Sequence, residues 1–280
     1  MLISIACGTL VRSNAAFSRG MDVRKLLIAF AMAASLGAAP SVHAVDIPIV
    51  NPSFEADFAP NGGFPVLNPT GWSRIDPGNI VNQNNNAVGV LNPAGTTFFV
   101  DPVPHGNNVA LIYLEQRAGT TNPGDMVGLQ QTLAGSTLQI NTRYTLTAAV
   151  GNIASGSGLG AFAGFGFADL SGFPGYRVEL LAGGEVVAFD QDSVSIGEGR
   201  FGLSEVTLTV GNVHPNAGQT LGIRLINRNF SGNLVERARE VDFDNVALVA
   251  TAVPEPSAYL LLLAGFGLIL GAKSRRRTAG

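Results

Sequence analysis

Between residues 45 and 250 the chain alternates apolar and polar positions in short runs. In "RYTLTAAV", Tyr144, Leu146, Ala148 and Val150 fall on one side, and Arg143, Thr145 and Thr147 on the other. "EVTLTV" sets Val206, Leu208 and Val210 against Glu205, Thr207 and Thr209. "NVALIYL", "YRVELLA", "EVVAFD", "TLGIRLI" and "VDFDNVALVA" follow the same rule. A period of two over such lengths predicts half-buried strands. Gly183-Gly184, between Leu181 and Val186, predicts a two-residue hairpin. No amphipathic helical run lies between the two ends of the chain, so the pattern predicts an all-β sandwich or barrel. In the last run Asp242 and Asp244 share a parity with Val246 and Leu248. That predicts either a bulge near Asn245 or burial of both faces there.

Two segments break the rhythm. "NQNNNAVG" (Asn82–Gly89) reads as a polar surface loop. Gly151–Gly175 is Gly-rich, with Phe162, Phe165, Phe167 and Phe173 interleaved. A loop of that length in a compact domain needs a reason. Its four phenylalanines predict an ordered flap packed on the sandwich. The spacing Gly156-x-Gly158-x-Gly160 has neither a following helix nor a nearby lysine, which excludes a phosphate-binding loop.

The ends differ from the middle. From Met21 a basic start (Arg24, Lys25) leads into an apolar stretch and closes at Val42-His43-Ala44. This is the layout of a secretory signal peptide over 21–44, cut after Ala44. Residues 1–20 fit no part of it and are read as upstream of the true start, the alternative being a single long targeting segment. At the other end, over 251–280, Val253-Pro254-Glu255-Pro256 precedes an apolar run, Ala258–Ala272, and then Arg275, Arg276 and Arg277. As a helix this run spans about 22 Å, short of a hydrocarbon core of about 30 Å. The order Val-Pro-Glu-Pro, short apolar transmembrane helix and Arg cluster, behind a signal peptide, resembles the PEP-CTERM sorting class of exported proteins. The resemblance implies processing by an exosortase near Pro254-Glu255-Pro256. It also implies a transient inner-membrane anchor, followed by the cell surface or the extracellular space.

The domain between, 45–250, has no cysteine and no lysine, since Cys7, Lys25 and Lys273 lie outside it. Disulfide and thiol chemistry are therefore excluded. It holds nine arginines against eighteen acidic residues, a net charge of −9. Nucleic acid is an unsuitable partner for such a surface.

"VNPSFEADF" (Val50–Phe58), "TGWS" (Thr70–Ser73), "GLQQTL" (Gly128–Leu133) and the closing "VDFDNVAL" (Val241–Leu248) resemble the outline of the galactose-binding-like jelly roll of carbohydrate-binding modules. The resemblance implies a jelly-roll β-sandwich and a structural calcium ion held by Glu55 and Asp244, with Asp242 as a further candidate. Hard Ca²⁺ takes six to eight oxygens, so carboxylates suit it. The alternatives are solvated carboxylates, or Glu55 accepting backbone amides. Sugar binding needs aromatic platforms. Tyr113 and Tyr176 are the candidates, while Trp72 and Tyr144 read first as core. His105 and His214 belong to no metal or nucleophile signature, and H-E-x-x-H and G-x-S-x-G are absent. Only a pair of carboxylates could support a glycan hydrolase. The sequence therefore leads to the expectation of a non-catalytic, exosortase-sorted surface or extracellular-matrix protein that contacts exopolysaccharide. The alternatives are a purely structural matrix protein and, behind it, a glycan-active hydrolase.

Overall fold

The structure is a computed structural model and describes residues 43–81, 86–115, 126–229, 238–253 and residue 265. The expected signal peptide before His43 and the sorting tail after Val253, including Pro254, Glu255, Pro256, Arg275, Arg276 and Arg277, lie outside these residues. No helix among the described residues is long and apolar enough to cross a membrane.

The described residues form thirteen strands. They are β1 (Ala44–Asp46), β2 (Ser73–Ile75), β3 (Ala87–Leu91), β4 (Val109–Glu115), β5 (Val127–Thr137), β6 (Thr142–Asn152) and β7 (Gly156–Ser157), then β8 (Phe167–Ala168), β9 (Tyr176–Ala182), β10 (Glu185–Gln191), β11 (Arg200–Val210), β12 (Thr220–Asn227) and β13 (Ala238–Ala252). A single 3-10 turn, Gly160–Phe165, lies between β7 and β8. One sheet runs β11-β6-β13-β4-β3, with β1 also paired to β13; a second runs β10-β9-β12-β5-β2. All pairings are antiparallel. This is the all-β sandwich that the alternation predicts, of the jelly-roll type that the resemblance implies. Gly183 and Gly184 turn β9 into β10 with φ of 65° and 86°, a conformation that costs other residues their Cβ clearance.

The inward faces build one core. Ala110, Ile112 and Leu114 of β4, Tyr144, Leu146, Ala148 and Val150 of β6, and Val241 and Phe243 of β13 meet Val178, Leu180, Leu221, Ile223 and Leu225 of the facing sheet. Trp72 joins them at the Asn51–Phe54 turn, with its ring 5.5 Å from Phe54 and its indole N–H donating to the Asn51 carbonyl. The irregularity foreseen at the end of the chain is a bulge. The pairing of β13 with β6 shifts between Asp244 and Ala247, and Asn245 has φ of 48°. It switches the inward set from Val241 and Phe243 to Val246 and Leu248.

Two sequence readings are corrected here. Ala87–Gly89, assigned to a polar loop, is the start of β3, and Asn86 before it is buried. Asn86 donates to the Ile80 carbonyl and accepts the Glu115 N–H, so this asparagine fastens an edge of the sheet. The platform expectation for Tyr176 also fails, because its ring is fully buried and its hydroxyl is bound by Asp190.

Candidate functional site

Over β3, β4 and the first half of β13, the outer face of the first sheet is not open to solvent. Its middle strand, β13, reads Glu-Val-Asp-Phe-Asp from 240 to 244. With Val241 and Phe243 in the core, the pleat turns Glu240, Asp242 and Asp244 outward. Glu240 pairs with Tyr113 of β4, which pairs with Ala87 of β3. Asp242 pairs with Leu111 on one side and Gly151 of β6 on the other. The floor so formed mixes acids with small and apolar residues.

A second apolar layer covers it. Phe98, Ile153 and Leu170 pack with Ala87, Leu91, Val109 and Leu111, and Phe64, Phe99, Tyr113 and Phe201 close around them. Phe64 lies 4.7 Å from Phe162 and 5.4 Å from Phe165, ring to ring. Phe99 and Phe201 stack at 4.4 Å. Glycine is required where these layers approach. A Cβ at position 151 would lie 2.8 Å from the Phe201 ring and 3.1 Å from the Asp242 Cβ. The Gly151–Gly175 segment is thus the ordered flap foreseen from its phenylalanines, and what it covers is a cavity.

That cavity measures about 740 Å³, within the range of small-molecule sites. Ala87, Leu91, Leu111, Tyr113 and Glu240 form its floor. Phe64, Val66 and Phe98 form one wall, and Phe162, Phe165, Phe167 and Leu170 the flap side. Phe165 and Phe167 are 76 % and 72 % exposed, and so stand at the mouth.

The charged groups on the floor are unusual. Asp242 is wholly buried and Glu240 is 4 % exposed. Among the described residues neither Asp242 oxygen receives a hydrogen bond, nor does Glu240 Oε1. Burial pushes both acids up, Glu240 to about 7 and Asp242 well above the carboxylate range, where the neighbouring Glu240 charge adds to the effect. Two neighbouring carboxylates buried in an apolar setting resist ionising together, so the pair retains a proton, donated by Asp242 to Glu240. A carboxylic acid kept neutral beside an apolar cavity is equipped to donate that proton.

The carboxylates read as calcium ligands are otherwise engaged. Glu55 Oε1 accepts the N–H groups of Asn107 and Asn108 at 2.8 and 2.7 Å. Asp244 accepts the His105 N–H at 2.7 Å through Oδ2 and the Asn245 N–H at 2.6 Å through Oδ1. Burial raises Asp244 to about 7. Both acids therefore tie the 105–108 turn to the two ends of the domain. Asp242 pairs with Glu240 instead. Among the described residues no group of three or more His, Cys, Asp or Glu side chains gathers at one point. Of the aromatic candidates, Tyr113 lines the cavity, while Trp72 and Tyr176 lie in the sandwich core. Glu240 was not singled out from the sequence. Its signal was the acid at every second position of a strand whose other face is apolar.

The family model described as HpiC1 cyclase matches residues 45–249, and the PEP-CTERM protein-sorting motif matches 252–277. A crystal structure of a cyclase from Fischerella sp. TAU is 36 % identical, covers 76 % of this chain and 100 % of its own, and superposes with a TM-score of 0.62. A Stig cyclase from the same source, solved with (3Z)-3-(1-methyl-2-pyrrolidinylidene)-3H-indole, gives the same values. A cyclase structure holding 4-(1H-indol-3-yl)butan-2-one is 37 % identical over 75 % of this chain and 100 % of its own, with a TM-score of 0.61. No curated protein matches the chain. These findings overturn two expectations. The domain is matched by a cyclase family model rather than by one of carbohydrate-binding modules, and the jelly-roll-like sandwich itself stands. The non-catalytic surface role gives way with it, because the solved relatives are enzymes. With the family model spanning the domain from Val45 to Val249, the chain belongs to the HpiC1-like cyclase family.

Proposed function

We propose that the domain is an acid-dependent cyclase acting on an apolar, indole-bearing substrate in the cavity beneath the flap. The observation that carries this reading is the proton-sharing pair Glu240–Asp242 on the floor of an aromatic-lined cavity, in a chain of a cyclase family. The pair delivers a proton to an electron-rich double bond of the substrate. The resulting cation is attacked by a second π-bond of the same molecule, which closes the ring. Loss of a proton from the cyclised cation restores neutrality and returns the proton to the pair, so substrate and product are isomers. The aromatic faces of Phe64, Phe98 and Phe162 suit a transient cation, and the flap excludes water that would trap it. The indole frame is the shared feature of the two ligands named in the related structures.

Titration of the purified protein with 4-(1H-indol-3-yl)butan-2-one tests the cavity. Saturable binding is expected, and Leu111→Trp, which fills the floor, should abolish it while the fold melts cooperatively. Absence of binding to the wild type retires the reading.

The PEP-CTERM motif implies export and exosortase processing of this cyclase. The mature protein should lack the Ala258–Ala272 peptide in mass spectrometry. Intact tail in the mature pool would show that the run is a permanent anchor. A structural calcium ion at Glu55 and Asp244 is a separate proposal, in which the ion would replace contacts to the 105–108 turn. An ion that binds only the folded state contributes about 2.7 kcal/mol at a hundredfold excess over Kd. Chelation should then lower the melting temperature of the wild type and leave Asp244→Ala unaffected, and identical wild-type melts with and without EDTA would dispose of it.

A further inference from the structure

We propose that the cavity prefers ligands carrying positive charge on an aromatic frame, such as arylalkyl ammonium ions, over neutral or anionic ligands of the same shape. The inference rests on the reading of the cavity as the substrate site and names the charge that site selects. Its charged lining is acidic. Glu240 lies on the floor with Asp242 directly behind it, and Asp169 follows β8 at the flap side. Among the described residues, no Arg, Lys or His lines the cavity. An anion would have to shed its water next to Glu240 with no positive partner among the described residues to replace that water, a costly transfer. An ammonium ion meets the opposite situation. It finds a carboxyl group on the floor and ring faces on the walls, and a cation over an aromatic face gains most where water is excluded.

The geometry supports a cage rather than a single contact. Phe64, Phe162 and Phe165 form one ring cluster, with centroids 4.7 to 6.3 Å apart. Phe98 contributes from the wall that it shares with Phe64, and Tyr113 from the floor. Asp169 is exposed, and its Oδ1 accepts the Ser171 N–H at 3.1 Å, which fixes the carboxylate at the flap side of the cavity. A ligand with its ring between the Phe walls and a two- or three-atom arm therefore encounters acid at the floor and at the flap.

Isothermal titration at neutral pH with three indoles of similar size tests this. They are tryptamine as the cation, 4-(1H-indol-3-yl)butan-2-one as the neutral reference, and indole-3-propionate as the anion. The expected order is tryptamine tightest and propionate weakest, with at least a tenfold difference between them. Glu240→Gln should shrink that difference to threefold or less, and the surface change Asp169→Asn should weaken tryptamine alone. Equal binding of tryptamine and propionate, or tighter binding of propionate, with the ketone bound, overturns the charge preference and leaves the cavity reading standing. Failure of all three to bind overturns both.

Discussion

Asp242→Asn is expected to reduce ring closure by about a hundredfold to ten-thousandfold, the range that a positioned general acid contributes, while ligand binding persists. The substitution keeps the volume of the side chain and removes the proton that the pair shares. Asp242 is wholly buried between Leu111 and Gly151, and its oxygens receive no hydrogen bond from other described residues. An amide at that place still donates to Glu240 but has no acidic proton to give. Glu240→Gln should also lower the rate, since Glu240 is the member of the pair that lines the cavity. Because the two act as a unit, the double variant should be little worse than the worse single one. The check is single-turnover product formation with an indole substrate that the wild type cyclises, beside titration with the indolyl butanone. A full rate in Asp242→Asn would remove the pair from the chemistry. Loss of both rate and binding would indicate a collapsed cavity, and the melting curve separates that case.

The fold was legible because period-two alternation reports directly on the pleat. It marked β4, β6 and β9 to β13, the hairpin at Gly183-Gly184, and the break of register beside Asn245. It failed at β3, where three small or apolar residues follow a run of asparagines and composition outweighed pattern. The site was legible only in part. Alternation showed that Asp242 and Asp244 share a parity, without drawing Glu240 into the row, and it cannot tell what covers that face. The cover comes from segments far apart in sequence: Phe64, Phe98 and Phe99, and the 153–170 flap. Without that cover a row of acids reads as solvated or metal-binding. With it, the acids are buried, and Glu240 and Asp242 compete for a proton. Proton-driven ring closure also leaves little trace in sequence. It needs no nucleophile, metal motif or phosphate loop, only an acid in a dry place, and Glu-x-Asp is too short to be seen among eighteen carboxylates. Tyr176 illustrates the same limit, since parity could not show which face of β9 meets the opposing sheet.

The same pair makes stability depend on pH in a direction opposite to that of most carboxylates. Glu240 and Asp242 have folded-state pKa values raised above their unfolded ones, chiefly by burial, and Asp244 is raised to about 7 by the same cause. The folded protein therefore holds more protons than the unfolded chain from about pH 4, where unfolded carboxyls titrate, up to about 7 for Glu240 and Asp244, and Asp242, raised well above the carboxylate range, adds to the same trend. Unfolding in this window releases protons, so a rise in pH favours it. The stability these groups contribute is complete below the unfolded pKa and is lost as pH rises through the folded one. The slope is about 1.4 kcal/mol per pH unit for each proton involved. The wild-type melting temperature should fall between pH 5 and pH 8. Asp242→Asn, which cannot ionise, should melt higher than the wild type at pH 8 and lose that advantage near pH 5. Taking the difference between the two proteins at each pH cancels the exposed carboxylates, which both share. A difference that stays constant from pH 5 to 8 would mean that Asp242 is ionised in the folded protein, and an ionised Asp242 could not serve as the acid of ring closure.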